Sequence, residues 1–177
     1  MHFLTKELHD VARVVLSTTK MILGPEATHS RVAVVGGLAV LRWTNNYRAT
    51  KDIDLFLGSN LRPMQLKREL PQAHNAFTIN FEAVHGVSYR SPITNKLTTI
   101  DFLDVEATVF EPQTRILDEL KANELPWSTR DDLISMKFLG ASQRNNVEMV
   151  LRDIRDIKNL LLVHPSPLLF SGSSVAE

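Results

Sequence analysis

Asp52-Ile53-Asp54 is the stretch of this sequence that most restricts what the chain can fold into. Side chains on a strand alternate between faces. In Asp52-Ile53-Asp54-Leu55-Phe56-Leu57 the two aspartates therefore project from one face while Ile53, Leu55 and Leu57 enter a core. Two carboxylates held that close repel, and partial burial adds a desolvation cost. A divalent cation between them reverses the sign. Magnesium takes hard oxygen ligands, typically one or two carboxylates completed by waters and substrate phosphates, which suits Asp-x-Asp better than any nitrogen or sulfur site. The competing explanation is a solvated edge strand with alternating charge, but that pattern wants a polar residue at position 56, where the chain has Phe56.

The strand has a companion upstream. Arg31-Val32-Ala33-Val34-Val35 is short, apolar and β-branched, and it runs into Gly36-Gly37 and then Leu38-Ala39-Val40-Leu41-Arg42-Trp43. This is the pattern of a buried strand, a tight turn and a helix. A glycine pair at such a turn permits close backbone approach and leaves the helix N-terminal amides to receive an anion, phosphate being the natural guest. A lone Gly-Gly is more often a packing turn. Followed by Asp52 and Asp54 on the next strand, it completes the minimum set that holds a triphosphate for in-line attack on one phosphorus. One metal ion would orient the β- and γ-phosphates and a second would lower the pKa of the attacking hydroxyl.

The remaining segments build one domain around this pair. Leu4, Leu8, Val11, Val14 and Val15 repeat at helical spacing up to about Leu23, where Gly24-Pro25 stops the pattern. A short helix from about Pro63 to Leu70 follows the aspartate strand. Phe77 to Phe81, Val87 to Arg90 and Leu97 to Val105 read as further strands with an antiparallel pair among them. Thr129 and Asp132 form a capping box for a helix that carries Leu133, Met136, Lys137, Leu139 and Gly140, and a last helix runs from about Val147 to Val163. His164 to Glu177, rich in Ser, Pro and Gly, has little to bury and is expected to be a loose tail. The expected organisation is a single α/β (α+β) domain over residues 1–163, with its core at 32–105 and C-terminal helices at about 128–163.

Composition removes whole classes of function. At 177 residues and 44% hydrophobic content the chain can bury one sizeable core. Lys plus Arg number 20 and Asp plus Glu number 20, so no net charge steers it toward nucleic acid or an anionic membrane, and a polyanion must be met by a local patch or a metal. The lack of cysteine excludes disulfides, thiolate zinc sites and a cysteine nucleophile. The acids and histidine of Glu7-Leu8-His9-Asp10 do not suit a signal peptide, and no apolar run approaches about 18 residues, so a soluble, cytoplasmic protein with no membrane partner is expected. The histidines, His29, His74 and His85 among them, show no paired metal spacing, and Trp43 and Trp127 sit among aliphatic residues as core side chains do. Neither a Gly-x-Ser-x-Gly elbow nor a Gly-Lys-Ser/Thr loop occurs, which sets aside serine hydrolases and P-loop kinases.

Val35-Gly36-Gly37-Leu38-Ala39-Val40 followed by Arg48-Ala49-Thr50-Lys51-Asp52-Ile53-Asp54-Leu55 resembles the signature of the minimal nucleotidyltransferases of the DNA polymerase β-like superfamily. Its wording is similar to that of the AbiEii-type toxins of toxin–antitoxin systems. Asp132-Leu133-Ile134-Ser135-Met136-Lys137, Ala141 and Arg144, then Asp153-Ile154-Arg155-Asp156-Ile157, resemble the later helical motif of the same proteins, so that the two matches frame about residues 32–160. The resemblance implies a nucleotidyltransferase fold with a small mixed sheet flanked by helices, two magnesium ions, and a third carboxylate from a neighbouring strand. Asp101 in Thr99-Ile100-Asp101-Phe102-Leu103 is the expected third ligand. Asp104 lies an odd number of residues away and points to the other sheet face unless a bulge intervenes, so it is expected to be solvated or to cap a turn.

Lys137, Ala141 and Arg144 fall at i, i+4 and i+7, which puts both cations on one helix face. In the resembling enzymes such a lysine faces the triphosphate. The alternative is a pair of surface charges neutralised by Asp153 and Asp156 of the next helix. Arg48 and Lys51 flank the metal motif, Arg48 as a candidate for the nucleotide, although loop charges are commonly just solvated.

On this reading Gly36, Gly37, Lys137, Arg144 and Arg48 hold a nucleoside triphosphate while Asp52, Asp54 and Asp101 hold Mg2+. A nucleoside monophosphate then moves to an acceptor hydroxyl on RNA, a protein or a small molecule, releasing pyrophosphate. So small a chain has little room for a recognition domain, and a protein partner is expected to supply specificity. Two other classes stay open. One is a non-catalytic nucleotide-binding or interaction module with the same fold. The other is a metal-dependent phosphodiesterase, which leaves the Gly-Gly turn without a job.

Overall fold

The amphipathic opening segment is helix α1 (His2–Leu23), which buries Leu8, Val11, Ala12, Val15 and Leu16. Gly24 ends it at φ +53°, and a short 3-10 turn leads into β1 (Arg31–Val35), α2 (Gly36–Trp43) and β2 (Asp52–Leu57). Then come α3 (Pro63–Ala73), β3 (Phe77–Ile79), β4 (Gly86–Arg90), β5 (Leu97–Leu103) and α4 (Val105–Thr108). The chain continues through β6 (Arg115–Ile116), α5 (Arg130–Gln143) and α6 (Val147–Val163). This computed structural model describes residues 2–163, so the expected loose tail at 164–177 lies outside the described residues.

The strands form one mixed sheet in the order β3-β4-β5-β2-β1-β6. All neighbours are antiparallel except β2 and β5, which run parallel. Ile53, Leu55 and Leu57 fill one side of β2 as the alternation requires, and Phe56 is buried as well, so both faces of this strand are covered beyond its first turn of aspartates. Helix α1 packs on α3, while α2, α5 and α6 pack on one another beside the start of β2. Among the described residues no helix is long and apolar enough to cross a membrane.

Several boundaries differ from the sequence expectation, each for a local reason. β5 stops at Leu103 rather than Val105 because Asp104 caps α4, its side chain accepting from the Ala107 amide at 3.0 Å. Phe81 falls outside β3 and stands 90% exposed in the loop before β4. β6 has two residues, too few for any periodicity to announce it. The capping box at α5 is half of one. Thr129 accepts from the Asp132 amide at 3.1 Å, but the Asp132 carboxylate turns away to the Gln113 amide at 3.0 Å instead of closing back on the cap.

Candidate active site

The parallel pairing of β2 with β5 sets Asp54 directly beside Asp101 and Asp52 beside Thr99. Paired residues on adjacent strands share a sheet face, so the register that brings Leu55 against Phe102 in the core also brings Asp52, Asp54 and Asp101 to the same side. Asp104, capping α4, takes no part. The three aspartates border a cavity of about 700 Å3 together with Gly36, Gly37, Thr50 and Lys137.

The glycine pair is dictated by this arrangement. Gly36 has φ +62°, and a β-carbon there would collide with the Asp54 carboxylate. A β-carbon on Gly37 would come within 2.6 Å of the Thr50 hydroxyl oxygen. The amide of Gly37 donates to Asp54 Oδ2 at 3.4 Å, so one of the N-terminal amides expected to await a phosphate is already engaged by a carboxylate of the protein.

These carboxylates are short of compensating charge. Burial pushes Asp54 up to about 6, and the charges of Asp101 and Asp52 add to the rise, against the opposing pull of Lys137 and the Gly37 hydrogen bond. Burial and then the charge of Asp52 likewise raise Asp101. A row of hard oxygen donors carrying surplus negative charge at a cavity wall fits magnesium. Among the described residues no three acidic or histidine side chains close into a complete metal cage.

A second set of aspartates is built differently. Asp153 and Asp156 of α6 are 1% and 0% exposed, and Lys137 bridges them at 2.8 Å and 3.0 Å. Arg144 pairs with Asp153 at 2.7 Å, and Arg48 grips Asp156 through Nε at 2.7 Å and Nη2 at 2.9 Å. The Tyr47 hydroxyl donates to the same Asp156 carboxylate. Burial acts to raise Asp156, but the hydrogen bonds from Arg48 and Tyr47 and the charge of Lys137 hold it below the ordinary carboxylate range. Burial and the Asp156 hydrogen bond push the Tyr47 hydroxyl up to about 12.

This cluster corrects the sequence reading of the cations. The partners expected for Lys137 and Arg144 are right, but Lys137 is only 11% exposed, so the pair is no surface decoration. Arg144 does not share a helical face with Lys137. It lies just past the end of α5 with an extended backbone, and Gly140 is the small residue beside which Asp153 packs. Arg48 is not a solvated loop charge either, being 18% exposed and tied to α6. Lys137, Arg144 and Arg48 all still border the cavity.

The chain matches the model of the family described as nucleotidyl transferase AbiEii toxin, type IV toxin–antitoxin system, over residues 23–170. It belongs to the AbiEii nucleotidyltransferase family. Among solved structures, the AbiEii-family fold seen here is similar to that in the crystal structure of an antigenic nucleotidyltransferase-like protein from Paracoccidioides brasiliensis, with a TM-score of 0.58 and 19% identity. The likeness covers 86% of this chain and 76% of that one. No curated protein matches the sequence.

For this AbiEii-family chain, then, the structure gathers every expected site residue at one cavity: Gly36, Gly37, Arg48, Asp52, Asp54, Asp101, Lys137 and Arg144. Sequence reasoning missed Thr50, Tyr47 and Arg152, and the wall made by Ala83, Val84 and His85. Tyr47 was within reach as the neighbour of Arg48, ahead of a motif whose late partners are spaced Asp153-Ile154-Arg155-Asp156. The wall at 83–85 is set by contacts with distant residues, the β4–β5 pairing and the Lys67 ammonium that donates to the Ala83 and Val84 carbonyls.

Proposed function

We propose that this protein is a magnesium-dependent nucleotidyltransferase that moves a nucleoside monophosphate from a nucleoside triphosphate to an acceptor hydroxyl. The observation that carries this reading is the in-register pair Asp54 and Asp101. With Asp52 it presents three carboxylates beside a glycine turn and within the electrostatic reach of Lys137.

Asp52, Asp54 and Asp101 would hold the metal, which when bound neutralises phosphate charge and acidifies a hydroxyl. The net charge of the cation cluster decides which side of the cavity receives the phosphates. Arg48, Lys137 and Arg144 outnumber Asp153 and Asp156, so this side keeps surplus positive charge for a polyanion. Pinned between two buried carboxylates, Lys137 has its ammonium fixed in place, which lowers the entropy cost of each phosphate contact. Asp101, at the other end of the row, accepts the acceptor hydroxyl's proton as its oxygen bonds to the α-phosphorus. The bond from that phosphorus to the bridging oxygen of the β-phosphate breaks, and pyrophosphate departs with the electron pair.

On this reading the triphosphate is met by Gly36, Gly37, Arg48, Lys137 and Arg144, and the enzyme acts in the cytoplasm. A protein partner supplying specificity or restraint fits the toxin–antitoxin description of the family. Incubation with α-labelled nucleoside triphosphates, Mg2+ and cell extract tests the reading: label should move to a macromolecule or small acceptor and depend on Asp54. Binding of triphosphate without any turnover would instead identify a non-catalytic module.

A further inference from the structure

The Asp54 side chain accepts a hydrogen bond from the Gly37 amide, but no donor among the described residues bonds to the side chain of Asp101. Packing places it instead. In the antiparallel pairing of β4 with β5, Gly86 lies opposite Asp101. A β-carbon at Gly86 would come within 2.6 Å of Asp101 Oδ1, 2.6 Å of the Ala83 β-carbon and 3.1 Å of the Ile100 carbonyl oxygen. Backbone conformation does not call for glycine here, since the glycines with positive φ among the described residues are Gly24 and Gly36. Clearance does. The Asp101 carboxylate occupies space that exists because position 86 has no side chain.

The segment that forms this seat is tied from two sides. On the sheet side the Phe102 amide donates to the His85 carbonyl at 3.0 Å. On the helix side Lys67 of α3 donates to the carbonyls of Ala83 at 2.6 Å and Val84 at 2.9 Å. A cation drawn partly into a fold is usually matched by a carboxylate. Lys67 is partly buried and forms no ion pair among the described residues, yet its charge acts on Asp101, opposing burial and the charge of Asp52. It stands to Asp101 as Lys137 stands to Asp54 at the other end of the row. The two lysines differ in one respect. Lys137 borders the cavity and Lys67 does not, so Lys67 acts on the site through residues 83–86 and through Asp101.

We propose that Lys67 and Gly86 are positioning residues for Asp101: Lys67 latches residues 83–86 against β5, and the bare α-carbon of Gly86 leaves the seat in which the carboxylate faces the cavity. This rests on the transferase reading above and adds to it two residues that touch neither metal nor nucleotide. Without the latch the segment can shift and Asp101 can leave its seat. Misplacing a reacting group by about 1 Å can cost roughly a hundredfold in rate. The loss falls on turnover, because the cations that would meet the triphosphate, Arg48, Lys137 and Arg144, are anchored separately by α6.

The test compares full-chain Lys67→Met, Lys67→Arg and Gly86→Ala with the parent and with Asp101→Asn, each checked for folding by circular dichroism. Binding of Mn2+, which takes the same oxygen ligands as Mg2+, is read by electron paramagnetic resonance, and transfer is read with α-labelled nucleoside triphosphates in cell extract. Gly86→Ala should weaken Mn2+ binding roughly tenfold, as Asp101→Asn does, because its β-carbon displaces Asp101 Oδ1. Lys67→Met should lower kcat roughly tenfold and leave the KM for triphosphate unchanged, while Lys67→Arg, able to donate to both carbonyls, keeps most of the parent's kcat. On the Asp101→Asn background Lys67→Met should cost nothing further. An equal loss on that background, or a raised KM with kcat kept, would make Lys67 a general tie of α3 and overturn the proposal. Parental Mn2+ binding and transfer in Gly86→Ala would overturn it as well. If Lys67→Met does not fold, Lys67→Gln takes its place in the cycle. A parent that transfers no label would remove the transferase reading, while weakened Mn2+ binding in Gly86→Ala would still uphold the seat.

Discussion

Lys137 stands between two groups of aspartates that the fold treats in opposite ways. On the sheet side, Asp54 and Asp101 are raised above the carboxylate range by burial and by their acidic neighbours. On the α6 side, Asp156 is also shielded from solvent and yet depressed, because Arg48, Tyr47 and Lys137 all point at it. Burial alone therefore does not mark the reactive carboxylates. The mark is burial without compensation, since a fold keeps such a group only where something else brings the missing charge. The α6 aspartates are scaffolding by the same logic: their partners come from within the chain.

The largest effect that would break this contrast is on turnover. Asp52→Ala and Asp54→Ala should each abolish transfer while leaving a folded protein, because either loss deprives the metal of a fixed oxygen ligand. Circular dichroism checks the fold, and an active, folded single variant would falsify the assignment. Asp101→Asn should keep triphosphate binding while transfer falls by roughly two to four orders of magnitude, as removal of a general base does. Asp104→Asn should leave transfer nearly unchanged, since that side chain only caps α4.

On the scaffold side the loss should appear as stability. Asp156→Ala strands Arg48 and Lys137 without their buried partner and should cost about 3 kcal/mol in urea unfolding at neutral pH. If the variant unfolds like the parent, the cluster is not structural.

How acid acts on the two groups sharpens the comparison. Asp54 has a folded value of about 6 against an ordinary 3.8, so its contribution is full below 3.8 and is lost as pH rises through 6. Metal-free Asp54→Asn should then melt higher than the parent at neutral pH, with the gain gone in acid. Asp156 is depressed, so its contribution is present above the ordinary carboxylate range and is lost as pH falls through its folded value. Asp156→Asn should melt lower at neutral pH and converge on the parent in acid. Equal slopes in the two melting series would erase the distinction.

The smallest expected difference separates two cations. Lys137→Ala should weaken Mg-triphosphate binding by roughly tenfold in calorimetry, and Arg144→Ala by less, because Lys137 alone is held by both α6 aspartates and acts on Asp54.

Much of this contrast was legible before any coordinates. That Asp52 and Asp54 share a face was readable because strand alternation is a strict rule and a core residue at position 56 removed the solvated alternative, whereas Asp101 was named from the family resemblance and lies beside Asp54 through the β2–β5 register. The opening helix was equally plain from periodicity, β1 and the glycine turn from a β-branched run ending in Gly36-Gly37, and α5 from its Thr129 cap. What escaped was whatever depends on distant pieces meeting. No local pattern says that Arg48 will find Asp156, or that the loop before β4 will wall the space beside Asp101. Asp104 shows the reverse case: counting residues along a strand set it apart from Asp101 and left it solvated or capping a turn, and it caps α4.

The link from Arg48 to Asp156 spans 108 residues. It also makes the site a product of the whole chain. During synthesis Asp52 and Asp54 leave the ribosome well before β5 can set Asp101 beside them, and Lys137 has no buried partner until α6 has emerged. Closing contacts of such separation carries the loop entropy of everything between. A nascent or truncated chain ending before α6 holds the three carboxylates without the two aspartates that anchor Lys137, Arg144 and Arg48.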